Sequence, residues 1–358
     1  MTIDKDKILL IRMLGKGDAL CIGLPALRFY QQKYPDAELH FLTFAQGAEF
    51  VALAEPQVKI HCLAQWPDDF LAAMEVFLGL AEDIIGEAYT QIVNLDTAFM
   101  PCFLARFLKD AGEPISGNLL NRSVQHLLEQ FQDKSLQADY VNNPDQYMDS
   151  SYFTMARWHT RWWEGSFLPD YGYPEYYLRC CCGYSDLEMN MAIAVQADES
   201  LMAQKGPKKV IALCLAQSDD AYPYPHARRL QLALEKMGFV VWNDADKHYS
   251  TEQLLQSLKA SDLLVTKAGA NQWCATAVGC PTLLITANSE PKTLMPDYAT
   301  EQSQPCPIHS PQAQLSFAKR CLCDDPQALA ESIDSIFNQD DEGSDIAKTD
   351  ITKVANND

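Results

Sequence analysis

An alternation of strand and helix signals, once broken and once resumed, limits the folds open to this chain. Ile8-Leu9-Leu10-Ile11 is a short, wholly apolar run of the kind that forms a strand buried on both faces. A glycine-containing turn follows, Leu14-Gly15-Lys16-Gly17-Asp18. Leu20, Leu24, Leu27 and Tyr30 then recur at helical spacing, with Pro35 just past the helix end. Strand patterns return at 38–44, 58–63 and 91–95, and a long helical pattern covers 68–85. A βαβα order implies a parallel sheet covered by helices on both faces.

The rhythm lapses over residues 113–185, a stretch rich in aromatics that include Trp158, Trp162, Trp163, Tyr171, Tyr173, Tyr176 and Tyr177. Aromatics bury large areas wherever they occur, so a packed lobe is the plainer reading and a sugar-stacking platform the more specific one. Lys205-Gly206-Pro207 reads as a hinge or linker. Alternation then resumes, with strands at 210–215, 239–242, 262–266 and 281–286. Helices are expected at 227–237 before Gly238, from a capping box at Ser250-Thr251-Glu252-Gln253 to Lys259, from Gly269 through Ala277, and at 326–337. A chain of 358 residues suggests two domains. The expected division is 1–185 and 186–338, each Rossmann-like, with a disordered acidic tail at 339–358.

Composition narrows the partners. Lys and Arg total 28 against 48 Asp and Glu, a net charge of −20. Such a field repels polyphosphate and argues against a nucleic-acid coat or a polybasic membrane anchor. No secretory leader or membrane-spanning run is evident, so a cytoplasmic location is expected, with at most transient contact at the inner membrane face. The 12 cysteines then read as thiols. No Cys-x-x-Cys pair occurs, Cys180-Cys181-Cys182 is too compressed for one tetrahedral site, and Cys306, His309, Cys321 and Cys323 form the one candidate cluster. No metal or cofactor is expected.

Two loops are candidates for chemistry. In the first, Gly15, Lys16 and Gly17 would let a ligand approach the backbone at a helix start. Asp18 then has two readings, a helix N-cap or a general base at the C-terminal edge of the sheet, where open α/β sheets bind ligands. The Gly-x-Gly-x-x-Gly fingerprint is not met, since Leu20 follows in register. In the second, Lys267, Gly269, Ala270, Asn271 and Gln272 lie between a strand and a helix, an ordinary turn or an anion site.

Residues 8–20, Ile-Leu-Leu-Ile-Arg-Met-Leu-Gly-Lys-Gly-Asp-Ala-Leu, continue through Leu24-Pro25-Ala26-Leu27-Arg28 and Lys33-Tyr34-Pro35-Asp36-Ala37-Glu38. This stretch resembles the opening of glycosyltransferase family 9, the lipopolysaccharide heptosyltransferases. Residues 260–269 and 275–281 resemble that family's nucleotide-binding strand, loop and helix, and the likeness spans roughly residues 7–338. It implies a GT-B architecture, two Rossmann-like domains with parallel sheets facing a central cleft. It also implies an inverting, metal-independent transfer from a nucleotide-diphosphate sugar, by default ADP-heptose, to a glycan or lipid-linked acceptor. Asp18 falls on the family's catalytic aspartate.

The donor side departs from the family pattern. That pattern has Asp, Ser or Thr, Gly, two residues and His, where this chain has Lys267, Ala268, Gly269 and Gln272. The family's Lys before Trp-Pro is missing. Tyr222-Pro223 stands for the Trp-Pro pair, Asp219 and Asp220 lie close by, and Lys267, His226, Arg228 or Arg229 is the cation that would compensate. Two further readings follow, a non-catalytic relative that binds a glycan or protein, and a sugar-nucleotide epimerase of the same architecture.

Overall fold

Two compact units, residues 1–194 and 195–358, divide the chain. The computed structural model describes residues 5–67, 69–158, 169, 171–215, 224–245, 248–267, 269–285 and 325–338, with 70 and 71 described by backbone alone. Tyr222, the cluster around Cys306 to Cys323 and the acidic tail lie outside them.

In the first unit β1 (Lys7–Ile11), β2 (Glu38–Phe44), β3 (Lys59–Leu63), β4 (Gln91–Asn94), β5 (Ile115–Leu120) and β6 (Met148–Ser150) form one six-stranded sheet. Its order is β3-β2-β1-β4-β5-β6, parallel except for β6, which runs antiparallel to β5. Ile8, Leu9, Leu10 and Ile11 are all buried, as a strand covered on both faces requires. Alternation splits them between two layers. Leu9 and Ile11, with Leu42 and Ile92, pack on Phe77, Ala81 and Ile84 of the helix Phe70–Gly86 and on Leu104 and Leu108 of the helix Phe99–Asp110. On the opposite layer Gly23 lies against the Phe41 ring, where a Cβ would stand 2.6 Å from its Cζ.

In the second unit β7 (Val210–Cys214), β8 (Val240–Asn243), β9 (Leu263–Thr266) and β10 (Thr282–Leu284) pair in the order β10-β9-β7-β8, all parallel. Ile211, Leu213, Leu263, Val265, Leu283 and Ile285 meet Leu230 and Leu234 of the helix Ala227–Lys236 and Leu329, Ala330 and Ile333 of a helix at 326–338. The capping box at Ser250 forms as expected and opens the helix Thr251–Ala260.

Each sheet has one place where successive crossovers leave in opposite directions. It lies between β1 and β4 in the first unit and between β7 and β9 in the second. Open α/β sheets bind ligands beyond the carboxyl ends of such strand pairs.

Two sequence expectations change. The middle segment is less irregular than its composition suggests, for it supplies β5 and β6 and the helix Val124–Gln132. Ser116, Gly117 and Asn118 hide β5 from an apolar-run search, and each answers to a neighbour rather than to the core. Lys205-Gly206-Pro207 is no hinge between units: Lys205 ends the helix Glu199–Lys205, and Gly206, at φ +49°, turns the chain toward β7 inside the second unit.

Candidate functional site

The carboxyl ends of β1 and β4 meet in a buried polar knot. Beyond Ile11 the Arg12 amide donates to Leu42 O at 3.0 Å, and the Met13 amide donates to Asp96 Oδ2 at 2.5 Å. Asp96 Oδ1 accepts from the amides of Thr97 and Ala98 at 3.0 and 3.4 Å. Arg12 is 2% exposed. Its guanidinium donates through Nη1 to Leu95 O at 2.6 Å and through Nη2 to Asp18 Oδ1 at 2.5 Å, and lies 5.3 Å from the Tyr177 ring centroid. Burial works against that charge, but Asp18 and Asp96 outweigh it, so the arginine pKa moves up from an already high value. Burial pushes the Asp96 carboxyl up, opposed by Arg12 and the backbone amides.

Asp18 is not a helix cap. The helix opens one turn earlier than the glycine-rich loop suggested. Gly15 is the N-cap, Lys16–Asp18 forms the first turn, a π-helical segment Ala19–Gly23 follows, and Leu24–Lys33 completes the helix. Gly15 is extended at φ −176°, a conformation open to any residue. Lys16 and Gly17 are partly exposed in the first helical turn. The Asp18 side chain, 36% exposed, makes no capping bond and turns back to Arg12. Its Oδ2 makes no hydrogen bond to a described residue. A carboxylate held at one oxygen by a buried cation, with the other open at the sheet's carboxyl edge, is suited to accept a proton from a ligand hydroxyl.

The second candidate loop sits at the other switch point. Cys214 and Thr266 are register partners at the ends of β7 and β9, and Thr266 Oγ1 donates to Cys214 O at 2.8 Å. Lys267 follows, largely buried. Gly269 is the N-cap of the helix Ala270–Val278 and adopts φ +151°, which favours glycine. Asn271 and Gln272 are buried in its first turn, and Asn271 Nδ2 donates to Asp244 Oδ2 at 3.4 Å. Burial, reinforced by Asp244, pushes the Cys214 thiol well up, so it stays protonated. Gly269, Ala270, Asn271 and Gln272 thus form one local helix start. His226 and Arg228 belong to another helix: His226 is its N-cap without a capping bond, its ring edge-on to Tyr224 at 5.8 Å. Arg228 is exposed and bonds Gln231 Oε1 at 2.9 Å.

Asp96 and Asn118 were not named from the sequence, and Arg12 and Tyr177 appeared only within the family-like stretch and the aromatic segment, with no role given to either. Arg12 and Asp96 carry a signal, since each is a charge directly beyond a buried strand at the carboxyl edge. Tyr177 is one aromatic among many and carries none.

No protein-family model matches the sequence, and no curated protein does. Solved structures do match. Escherichia coli ADP-heptose lps heptosyltransferase II is similar with a TM-score of 0.57 at 15% identity, covering 94% of this chain and 99% of that one. The glycosyl transferase family 9 protein from Veillonella parvula gives 0.51 at 12% identity, covering 89% and 87%. E. coli heptosyltransferase WaaC with ADP gives 0.50 at 13%, covering 80% and 89%. The resemblance seen in the sequence therefore holds at the level of the fold: this is an α/β chain of the GT-B class, with two Rossmann-like units similar to those of glycosyltransferase family 9 heptosyltransferases.

Proposed function

We propose that the protein is an inverting glycosyltransferase that moves a sugar from a nucleotide-diphosphate donor to a glycan or lipid-linked acceptor. The observation that carries this reading is the Asp18 carboxylate, held at Oδ1 by buried Arg12 with Oδ2 unbonded among the described residues, at the switch point of a fold shared with heptosyltransferases. Asp18 takes the proton from the acceptor hydroxyl as that oxygen attacks the anomeric carbon. The bond from that carbon to the nucleotide diphosphate breaks, and the diphosphate leaves with the electron pair. Helix-start amides at Gly269–Gln272 and the Lys267 ammonium stabilise the leaving group, with no part for a metal.

The neighbouring structures named with ADP or ADP-heptose make ADP-heptose the first donor to try, with a lipopolysaccharide-core acceptor. The reading includes a cytoplasmic site of action with transient contact at the inner membrane face. No helix among the described residues is long and apolar enough to cross a membrane. Sugar transfer by the wild-type chain that Asp18→Ala abolishes supports it. Undiminished turnover in that variant removes Asp18 as the base.

A second reading, a non-catalytic relative of the same fold, is favoured by one contact: Asn271 in the expected diphosphate-binding turn is bonded to the acid Asp244. Calorimetry with ADP, UDP and ADP-heptose separates the two. Dissociation constants at or below about 1 μM, near −8 kcal/mol, support the transferase, and no heat with any of them supports the non-catalytic relative.

A further inference from the structure

We infer that Arg12 and Tyr177 are positioning residues for Asp18, the tyrosine fixing the guanidinium and the guanidinium fixing one carboxylate oxygen. The inference rests on the reading of Asp18 as a base. Arginine–carboxylate pairs are frequently two-pronged, with both oxygens engaged. Here only Nη2 reaches Asp18, because Nη1 is diverted to Leu95 O. The diversion leaves Oδ2 without a donor among the described residues, the state a proton acceptor needs.

Tyr177 enforces the diversion. Its hydroxyl donates to the same Leu95 O at 2.9 Å, and its ring lies against the guanidinium. The hydroxyl in turn accepts from Asn118 Nδ2 at 3.0 Å, and Asn118 Oδ1 accepts from Ser150 Oγ at 2.7 Å. Arg12, Asn118 and Tyr177 are all buried, so water does not replace a lost partner cheaply. Arg12 Nε is buried without a hydrogen bond. The guanidinium is thus oriented by two directed bonds and one ring, not by saturation of its donors. Tyr177 lies in a π-helical turn, Tyr176–Cys181, a distortion that recurs at functional sites. Through Tyr177 the aromatic segment reaches Arg12.

Two full-chain variants test this. Arg12→Lys keeps the charge but loses the fork that reaches Leu95 O and Asp18 together. Tyr177→Phe keeps the ring and deletes the hydroxyl, so it preserves packing if Arg12→Lys fails to fold. Carbodiimide coupling of glycine ethyl ester to Asp18, followed by peptide mass spectrometry, reads the grip on the carboxylate without any substrate. At least threefold faster coupling is expected in both variants. With ADP-heptose and a lipopolysaccharide-core acceptor, kcat should fall tenfold or more while the donor KM stays within twofold. Unchanged coupling at Asp18 in the folded variants overturns the inference whatever the activity, as does an unchanged kcat. A wild-type chain that transfers nothing, with coupling still accelerated in the variants, overturns the base reading and leaves the hold of Arg12 and Tyr177 on Asp18 standing.

Discussion

Gly117 lies so close to Asn94 that a Cβ on it would stand 2.1 Å from the Asn94 carbonyl oxygen. The two residues are register partners of β4 and β5, and Gly117 adopts φ +89°. Both the contact and the dihedral exclude an L side chain. Gly117→Ala is expected to prise the two strands apart beside Asn118 and to destabilise the first unit by about 3 kcal/mol or more. Urea unfolding followed by tryptophan fluorescence measures it, and a loss below about 1 kcal/mol would contradict the packing described.

Asp18→Asn removes the charge that faces Arg12 but keeps a carbonyl oxygen as acceptor. Because Asp18 is partly exposed and screened, the expected loss of stability is modest, about 1–2 kcal/mol. Transfer activity should fall far more, by at least about a thousandfold if no other base substitutes. A variant as stable as wild type would show that Arg12 does not depend on this carboxylate.

His40 and His61 both bond the Tyr89 hydroxyl, at 2.5 and 2.7 Å, and His40 Nε2 meets Glu38 Oε1 at 2.8 Å. Glu38 only accepts, so His40 donates to it from Nε2. Burial, with His40 and Lys59 adding to it, holds the His61 pKa below its usual value. The folded state therefore binds fewer protons than the unfolded chain from about pH 6.5 downward, and stability falls with pH across that window. Glu38, also held low by its His40 bond, extends the loss into the carboxylate range. His61→Gln keeps a hydrogen-bonding amide near Tyr89 and should flatten the thermal midpoint between about pH 5 and 6.5. An unaltered slope would remove His61 as the titrating group.

Among the described residues nothing crowds the Cβ direction of Gly269, so there the dihedral is what resists substitution. Gly269→Ala should cost about 1–2 kcal/mol and weaken nucleotide binding by distorting the helix start. Calorimetry with ADP alongside thermal melting checks both. Melting at the wild-type temperature would mean that the loop relaxes freely.

The parallel sheets were legible because burial on both faces leaves wholly apolar runs such as Ile8–Ile11 and Val210–Cys214. β5 was not, since Gly117 and Asn118 serve a close approach and a hydrogen-bond network that one sequence does not display. The position of Asp18 was legible through its loop, but its partner was not. Arg12 acts through Leu95 O and the Tyr177 ring, contacts distant in sequence that no local spacing encodes. The Lys267–Gln272 turn was found from the rule that helix starts follow strands, while Asp244 enters it from another strand end.

For the base proposed above, the ion pair with Arg12 reverses the usual trade-off, in which replacing an active-site acid relaxes the fold. With a cation sealed beneath it, this acid also serves the architecture, and selection for folding alone would retain it. A lineage that had stopped transferring sugar would still keep an aspartate at position 18. An aspartate at this position in a relative would thus mark the fold first, and turnover only where the turn at Lys267–Gln272 is kept as well.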